Sequence, residues 1–213
     1  MAREPAYTRL GVDERRRQVL DAGAALFAEH AFEEISMRQI ADAAGVSKAL
    51  LYHYFPGKID LFKAAVLEAA AELQSLIEPS DEDALAHQLA HSLDAYLRWI
   101  EGNARTWANL MQSASTPAEA RELVDSFRSR TMEMILAKLT GEHKPRPALR
   151  NAINGWLGYM DAAILDWVQT HDLPRQQLQD MLLAALAAAL IAAQQIEPKI
   201  NLTIPPGALL RTT

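Results

Sequence analysis

The stretch Ser36-Met37-Arg38-Gln39-Ile40-Ala41-Asp42-Ala43-Ala44-Gly45-Val46-Ser47-Lys48-Ala49-Leu50-Leu51-Tyr52-His53-Tyr54-Phe55-Pro56-Gly57-Lys58 constrains this chain more than any other. Ser36 and Gln39 have capping-box spacing, so the serine oxygen can accept from the Gln39 amide while the glutamine side chain returns to the cap. Ile40, Ala41 and Ala44 give the helix that follows an apolar side. Gly45 supplies the left-handed residue that ends it, with Val46 as the usual hydrophobic contact. Ser47 caps a second helix. At about 100° per residue, Leu51 and Phe55 share a side with Ser47, while Lys48, Ala49, Tyr52 and His53 lie roughly opposite. Two short helices about a tight glycine turn are the plan of a helix-turn-helix, whose second helix enters the DNA major groove. The outward stripe suits that groove: Lys can reach phosphate or guanine, Ala a thymine methyl, and Tyr and His can bond phosphates. A solvated face is the plain alternative.

The pattern Ile40-Ala41-x-Ala43-Ala44-Gly45-Val46-Ser47-Lys48-x-x-Leu51-Tyr52-x-x-Phe55-x-x-Lys58-x-x-Leu61 resembles the DNA-binding motif of TetR-family transcriptional regulators. The specific resemblance covers about the first 65 residues; beyond them only the all-helical plan is shared, so ligand identity does not carry over. It implies that Met37 and Arg38 on the supporting helix, Ser47, Lys48, Ala49, Tyr52 and His53 on the recognition helix, and Lys58 opening the next helix contact DNA. Two positions depart from the pattern. Ala49 stands where the family often has Gly, which brings a bulkier surface to the groove. Ala31 stands where Gly commonly ends the first helix, and a left-handed Ala there would cost about 1 kcal/mol.

Composition sets the frame. A chain of 213 residues, 50% apolar, can bury one large core or two smaller ones, and two fit better. The net charge is −6, but residues 1–60 carry 8 basic against 9 acidic side chains and the remainder 13 against 18. Arg38, Lys48 and Lys58, with Arg3, Arg9, Arg15, Arg16 and Arg17 from the N-terminal arm and first helix, allow a local positive surface despite the acidic whole. The absence of cysteine excludes disulfides, thiolate metal sites and cysteine nucleophiles. Met1-Ala2-Arg3-Glu4-Pro5 has no apolar signal core, so a cytoplasmic location is expected. The apolar run Met181 to Ala193 has 13 residues, short of the roughly 20 that span a bilayer, and is expected to be a buried helix with no membrane partner.

Helical periodicity dominates the chain, and an all-α fold of about nine helices follows: a helix-turn-helix domain over 1–60, a regulatory and dimerisation domain over 61–196 and an irregular, proline-rich tail over 197–213. Helices are expected over 13–30, 58–77, 80–102 capped by Ser80, 104–115, from Thr116-Pro117-Ala118-Glu119 to Gly141, 148–171 and 175–196. Glu142 to Pro147 reads as a loop. In the eighth helix, Ile153, Trp156, Leu157, Met160, Ile164, Trp167 and Val168 share one arc, while Gly155, Gly158 and Ala162 form a small-residue strip. The ninth is apolar almost all round. Gly155, Gly158, Ala162, Leu183, Ala187 and Ile191 are therefore expected at a homodimer interface, a four-helix bundle like the one the resembled family uses; a central helix of a monomer is the alternative.

Other groupings carry less. His87 and His91 have i, i+4 spacing but lack the Glu of a zinc hydrolase motif, and they lie opposite Leu85, Leu89 and Leu93, as a solvated face does; no metal or other cofactor is expected. Trp99, Trp107, Met111, Phe127, Met134, Trp156 and Met160 could line an apolar effector cavity, or each could be core. Asp161, at the margin of the eighth helix's apolar arc, needs a partner or a ligand donor if buried. No nucleophile–base grouping, phosphate loop or carboxylate pair stands out, and no enzyme is expected. The sequence thus points to a homodimeric transcription regulator, a repressor that leaves a palindromic double-stranded operator when a small apolar or aromatic effector binds. A helical small-molecule carrier and a ligand-independent DNA-binding protein are the competitors.

Overall fold

The computed structural model describes residues 11–76, 85–112, 118–141, 146–203 and 205–211. Its helices are α1 (Val12–Glu29), α2 (Met37–Ala43), α3 (Lys48–Tyr54), α4 (Lys58–Leu76), α5 (Leu85–Gly102), α6 (Ala104–Gln112), α7 (Ala118–Thr140), α8 (Pro147–Thr170) and α9 (Arg175–Ile196). Short 3-10 turns cover Phe32–Glu34 and Pro206–Arg211. The starts proposed for α5 at Ser80 and for α7 at Thr116-Pro117, most of the Glu142 to Pro147 loop, and Arg3 and Arg9 lie outside the described residues.

The chain divides into two compact units. The first takes Met1–Ala69 together with Arg105–Ala120, so α6 joins α1, α2, α3 and the first part of α4 although it is far along the chain. Its core is built from Val19, Leu20 and Phe27 of α1, Ile35, Met37, Ile40 and Ala41 at α2, Leu51 and Phe55 at α3, and Leu61 and Phe62 of α4. Phe62 sets its edge against Phe27 and Phe32, at 4.9 and 5.3 Å between centroids. From α6, Asn109 donates its side-chain amide to the Ala28 carbonyl at 3.0 Å, covering one of the last acceptors of α1. Ala31 is not left-handed: α1 ends on His30 in extended backbone and Ala31 follows at φ −64°, so the strain expected there does not arise.

The second unit takes Ala70–Ala104 and Arg121–Thr213. The helices α8 and α9 form an antiparallel hairpin: Trp167 donates to the Leu173 carbonyl at 2.7 Å near the turn, Trp156 to the Leu182 carbonyl at 2.8 Å midway, and the Ala148 amide to Glu197 Oε2 at 3.2 Å at the far end. His171 takes the left-handed cap of α8 at φ 51°. All seven residues of the expected apolar arc of α8 are buried. At 22 residues, α9 is long and apolar enough to cross a membrane by length and composition. In the protein it is a core helix: Leu178, Leu182, Leu186 and Leu190 are buried, and Gln179, itself buried, donates to the Ala90 carbonyl at 2.8 Å. Arg175 binds Asp94 at 3.1 Å and Glu101 at 2.5 Å, fixing the start of α9 to α5.

The tail departs from the expected irregular segment. Thr203 donates its amide to the Leu139 carbonyl at 2.7 Å and its hydroxyl to the Lys138 carbonyl at 2.8 Å, thereby capping α7. Ile200 and Leu209 are buried, and the 3-10 turn Pro206–Arg211 packs against α9 and α5. A segment without helical period can still be anchored by isolated apolar residues and by hydrogen bonds to a helix end.

Candidate nucleic-acid interface

The helix-turn-helix forms with the chemistry its sequence carries. Gln39 donates its amide to Ser36 Oγ at 3.2 Å, and the Ser36 amide donates to Gln39 Oε1 at 2.8 Å, a complete capping box. Gly45 stands at φ +62°, and the Val46 amide closes the turn onto the Ala41 carbonyl at 3.0 Å. Ser47 caps α3 by accepting from the Leu50 amide at 3.2 Å. A seven-residue helix is marginal alone, so packing has to hold it. Leu51 is fully buried and Phe55 nearly so, with Arg16 of α1 over the Phe55 ring at 5.0 Å. Gln18 of α1 braces the turn by donating to the Ala44 carbonyl at 2.9 Å. Neither α1 contact carries a local motif; both depend on how α1 crosses the pair.

With its apolar side spent, α3 presents Lys48, Ala49, Tyr52 and His53 to solvent. The Lys48 ammonium lies 5.7 Å from the centre of the Tyr52 ring, which keeps cation and phenol side by side. Arg38 is exposed on α2 with only a long 3.8 Å contact to Asp42, leaving its guanidinium free to reach a phosphate.

Two positions implied by the family resemblance fall elsewhere. Met37 is a core side chain, 9% exposed, in the cluster that α1, α2, α3 and α4 build together. Lys58 turns its ammonium inward, donating to the carbonyls of Phe32 and Ile35 and lying over the Phe32 ring.

The residues expected around an effector are divided. Trp107 and Met111 belong to the first unit; Trp99, Phe127, Met134, Trp156, Met160 and Asp161 belong to the second. Met134 is half exposed, whereas Trp156 and Met160 are buried on α8 and Trp99 donates to Glu72 Oε2 at 3.3 Å. Asp161 is partly buried and has a partner: Arg128 of α7 reaches it at 2.5 Å, crossing α8 at Gly158, where a Cβ would stand 3.4 Å from Arg128 Nη2. Burial pushes the Asp161 carboxyl above its ordinary range of about 3.8, opposed by the Arg128 charge and hydrogen bond. The folded protein therefore holds this proton more tightly than the unfolded chain. The contribution to stability is full below the ordinary value and is lost as pH rises through the folded one. Urea midpoints of wild type, followed relative to Asp161→Asn from about pH 3.5 to 6.5, should fall as pH rises; parallel profiles would contradict the assignment.

Of the six positions expected at a dimer interface, Gly155, Gly158, Ala162 and Ile191 are exposed, the last by 43%. Leu183 and Ala187 are not available: at 2% and 1% exposure they pack in the core of this chain. The exposed apolar residues of α9 between Met181 and Ala192 are Met181, Ala184, Ala188, Ile191 and Ala192, and on α8 Gly155, Tyr159 and Ala162 are exposed. His87 and His91 are exposed, and no group of three or more metal-ligating side chains occurs among the described residues.

Residues 19–65 match the family model described as bacterial regulatory proteins, tetR family, and residues 85–189 match one described as tetracyclin repressor-like, C-terminal domain. The transcriptional repressor KstR of Mycobacterium tuberculosis is 30% identical over 132 residues, which are 56% of this chain and 59% of that protein. The transcriptional activator FasR of Mycolicibacterium smegmatis is 30% identical over 110 residues, 49% of each. The chain thus spans about half the length of the curated relatives it matches. Among solved structures, a tetR-family transcriptional regulator from Streptomyces coelicolor is similar with a TM-score of 0.79 and 28% identity, covering 95% of this chain and 89% of that one.

Proposed function

Because the chain belongs to the tetR family of bacterial regulatory proteins, we propose that it is a homodimeric, DNA-binding transcription regulator whose α3 reads the operator major groove. The observation that carries this reading is the division of α3. Leu51 and Phe55 are consumed by the core, which leaves Lys48, Ala49, Tyr52 and His53, with the capping Ser47 beside them and Arg38 on α2, as the surface turned to DNA. A carrier of small molecules would have no use for that surface. The repressor KstR favours repression as the sign of control, with FasR marking the activator alternative. In this reading an apolar or aromatic effector enters the second unit among Trp99, Phe127 and the Trp156 and Met160 side of α8. It lowers operator affinity by changing the separation of two heads that must reach successive major grooves about 34–36 Å apart.

Selection of bound duplexes from a random-sequence library tests the reading directly; a palindromic consensus is expected. On the selected duplex, Lys48→Ala and Tyr52→Ala should each weaken binding by about 1–3 kcal/mol without lowering the thermal midpoint, since both side chains stand exposed. Normal binding by either variant would remove α3 as the reader.

A further inference from the structure

Lys58 opens α4 within hydrogen-bond reach of the turn that leads into α2. Its ammonium donates to the Phe32 carbonyl at 2.5 Å and the Ile35 carbonyl at 2.6 Å, and stands 4.2 Å from the centre of the Phe32 ring. Two of its three N–H bonds are thereby committed to backbone. Ile35 is 3% exposed and directly precedes Ser36, the cap of α2, whose first backbone bond runs from the Ile40 amide to the Ser36 carbonyl. The Ile35 carbonyl therefore lies outside that helix ladder, and among the described hydrogen bonds Lys58 is its donor. One turn further along α4, Phe62 packs nearly perpendicular to the Phe32 ring, at 5.3 Å between centroids. The entry to α2 is thus gripped at two points by the first turn of α4.

We infer that Lys58 is a positioning residue, which ties the start of α4 to the backbone that leads into α2, and not a phosphate contact. The inference rests on the DNA-binding reading above for its consequence, though not for its geometry. Hydrogen bonds from an ionised donor are the stronger kind, so a displacement of the first turn of α4 is coupled through them to the Phe32–Ile35 segment and the α2 cap. Burial lowers the proton affinity of Lys58, with Glu33 partly offsetting it, as suits an ammonium set against apolar surface.

The salt dependence of DNA binding separates the two roles. Loss of a phosphate contact flattens the plot of log affinity against log salt by about one unit, whereas loss of a positioning bond lowers affinity at unchanged slope. Lys58→Met keeps the stem and removes the donor; Lys58→Gln removes the charge and keeps a neutral donor. On a duplex selected by wild type from a random library, Lys58→Met should bind roughly tenfold or more weakly with the wild-type slope, and Lys58→Gln should recover part of that loss. A slope reduced by about one in both variants, or wild-type binding by Lys58→Met, overturns the inference. If Lys58→Met does not fold, Lys58→Gln supplies the same comparison of slopes. If wild type itself selects no duplex, the proposed function fails and the inference is judged on amide hydrogen exchange of residues 40–44. Faster exchange than wild type in the Lys58 variants, with the rest of the unit unchanged, supports the tie; unaltered exchange overturns it.

Discussion

Ala188→Glu is expected to leave each protomer folded, to hold it monomeric at micromolar concentration and to cost about 100-fold or more in operator affinity. Ala188 is exposed in the middle of the α9 stripe that runs from Met181 to Ala192, and Gly155, Tyr159 and Ala162 are exposed on α8. In the homodimer proposed above, two copies of the hairpin would bury these stripes as a four-helix bundle, in which small residues let the helices approach closely. A carboxylate placed there is taken from water with nothing to pair it, at a cost of several kcal/mol. DNA affinity then falls because each head must bind alone, without the effective concentration its partner supplied. The neighbouring residue provides the control. Ala187 is 1% exposed inside its own protomer, so Ala187→Glu should unfold the second unit rather than dissociate it. Sedimentation and circular dichroism of the pair give the answer, and an Ala188→Glu protein as dimeric as wild type would sink the interface.

Gly23→Val should destabilise the first unit by about 1–3 kcal/mol. A Cβ at position 23 would stand 2.2 Å from Leu61 Cδ2 and 3.2 Å from its Cγ, and Leu61 is fully buried, so the leucine has to shift within a packed core. Removing a glycine from a helix interior ordinarily gains up to about 1 kcal/mol, but a β-branched residue recovers only part of it and the steric cost is larger. The cause is checked by coupling: Leu61→Ala makes room, so the double variant should lose less than the two single losses combined. Denaturant midpoints that add independently would assign the role of Gly23 to something other than Leu61.

What could be read from the chain was local. The Ser36–Gln39 box, the positive φ of Gly45 and the two sides of α3 depend on neighbours within a turn or so, and all three stand as expected. Where a long-range partner decides, spacing was silent. Met37 carries nothing to show that it enters the shared core, and Lys58 nothing to show that two carbonyls lie within reach. On α9 the wheel has two apolar sides and no polar face to break the tie, so spacing does not separate the buried Leu183 and Ala187 from the exposed Ala184 and Ala188. The tail lacked periodicity because its anchorage is made by single side chains, Ile200 and Leu209, and by Thr203 at the end of α7.

The membership of α6 in the first unit bears on how such regulators can exchange parts. A head transplanted by joining two genes near residue 69 arrives without residues 105–120 and without Asn109 to cover the Ala28 carbonyl, so the incoming α1 meets an α6 that evolved against a different surface. A single crossover cannot carry the DNA-reading unit whole. If α3 reads the operator as proposed, new operator preferences are reached most directly by point substitution on its outer side, where Lys48, Ala49, Tyr52 and His53 can change while the buried Leu51 and Phe55 stay in place.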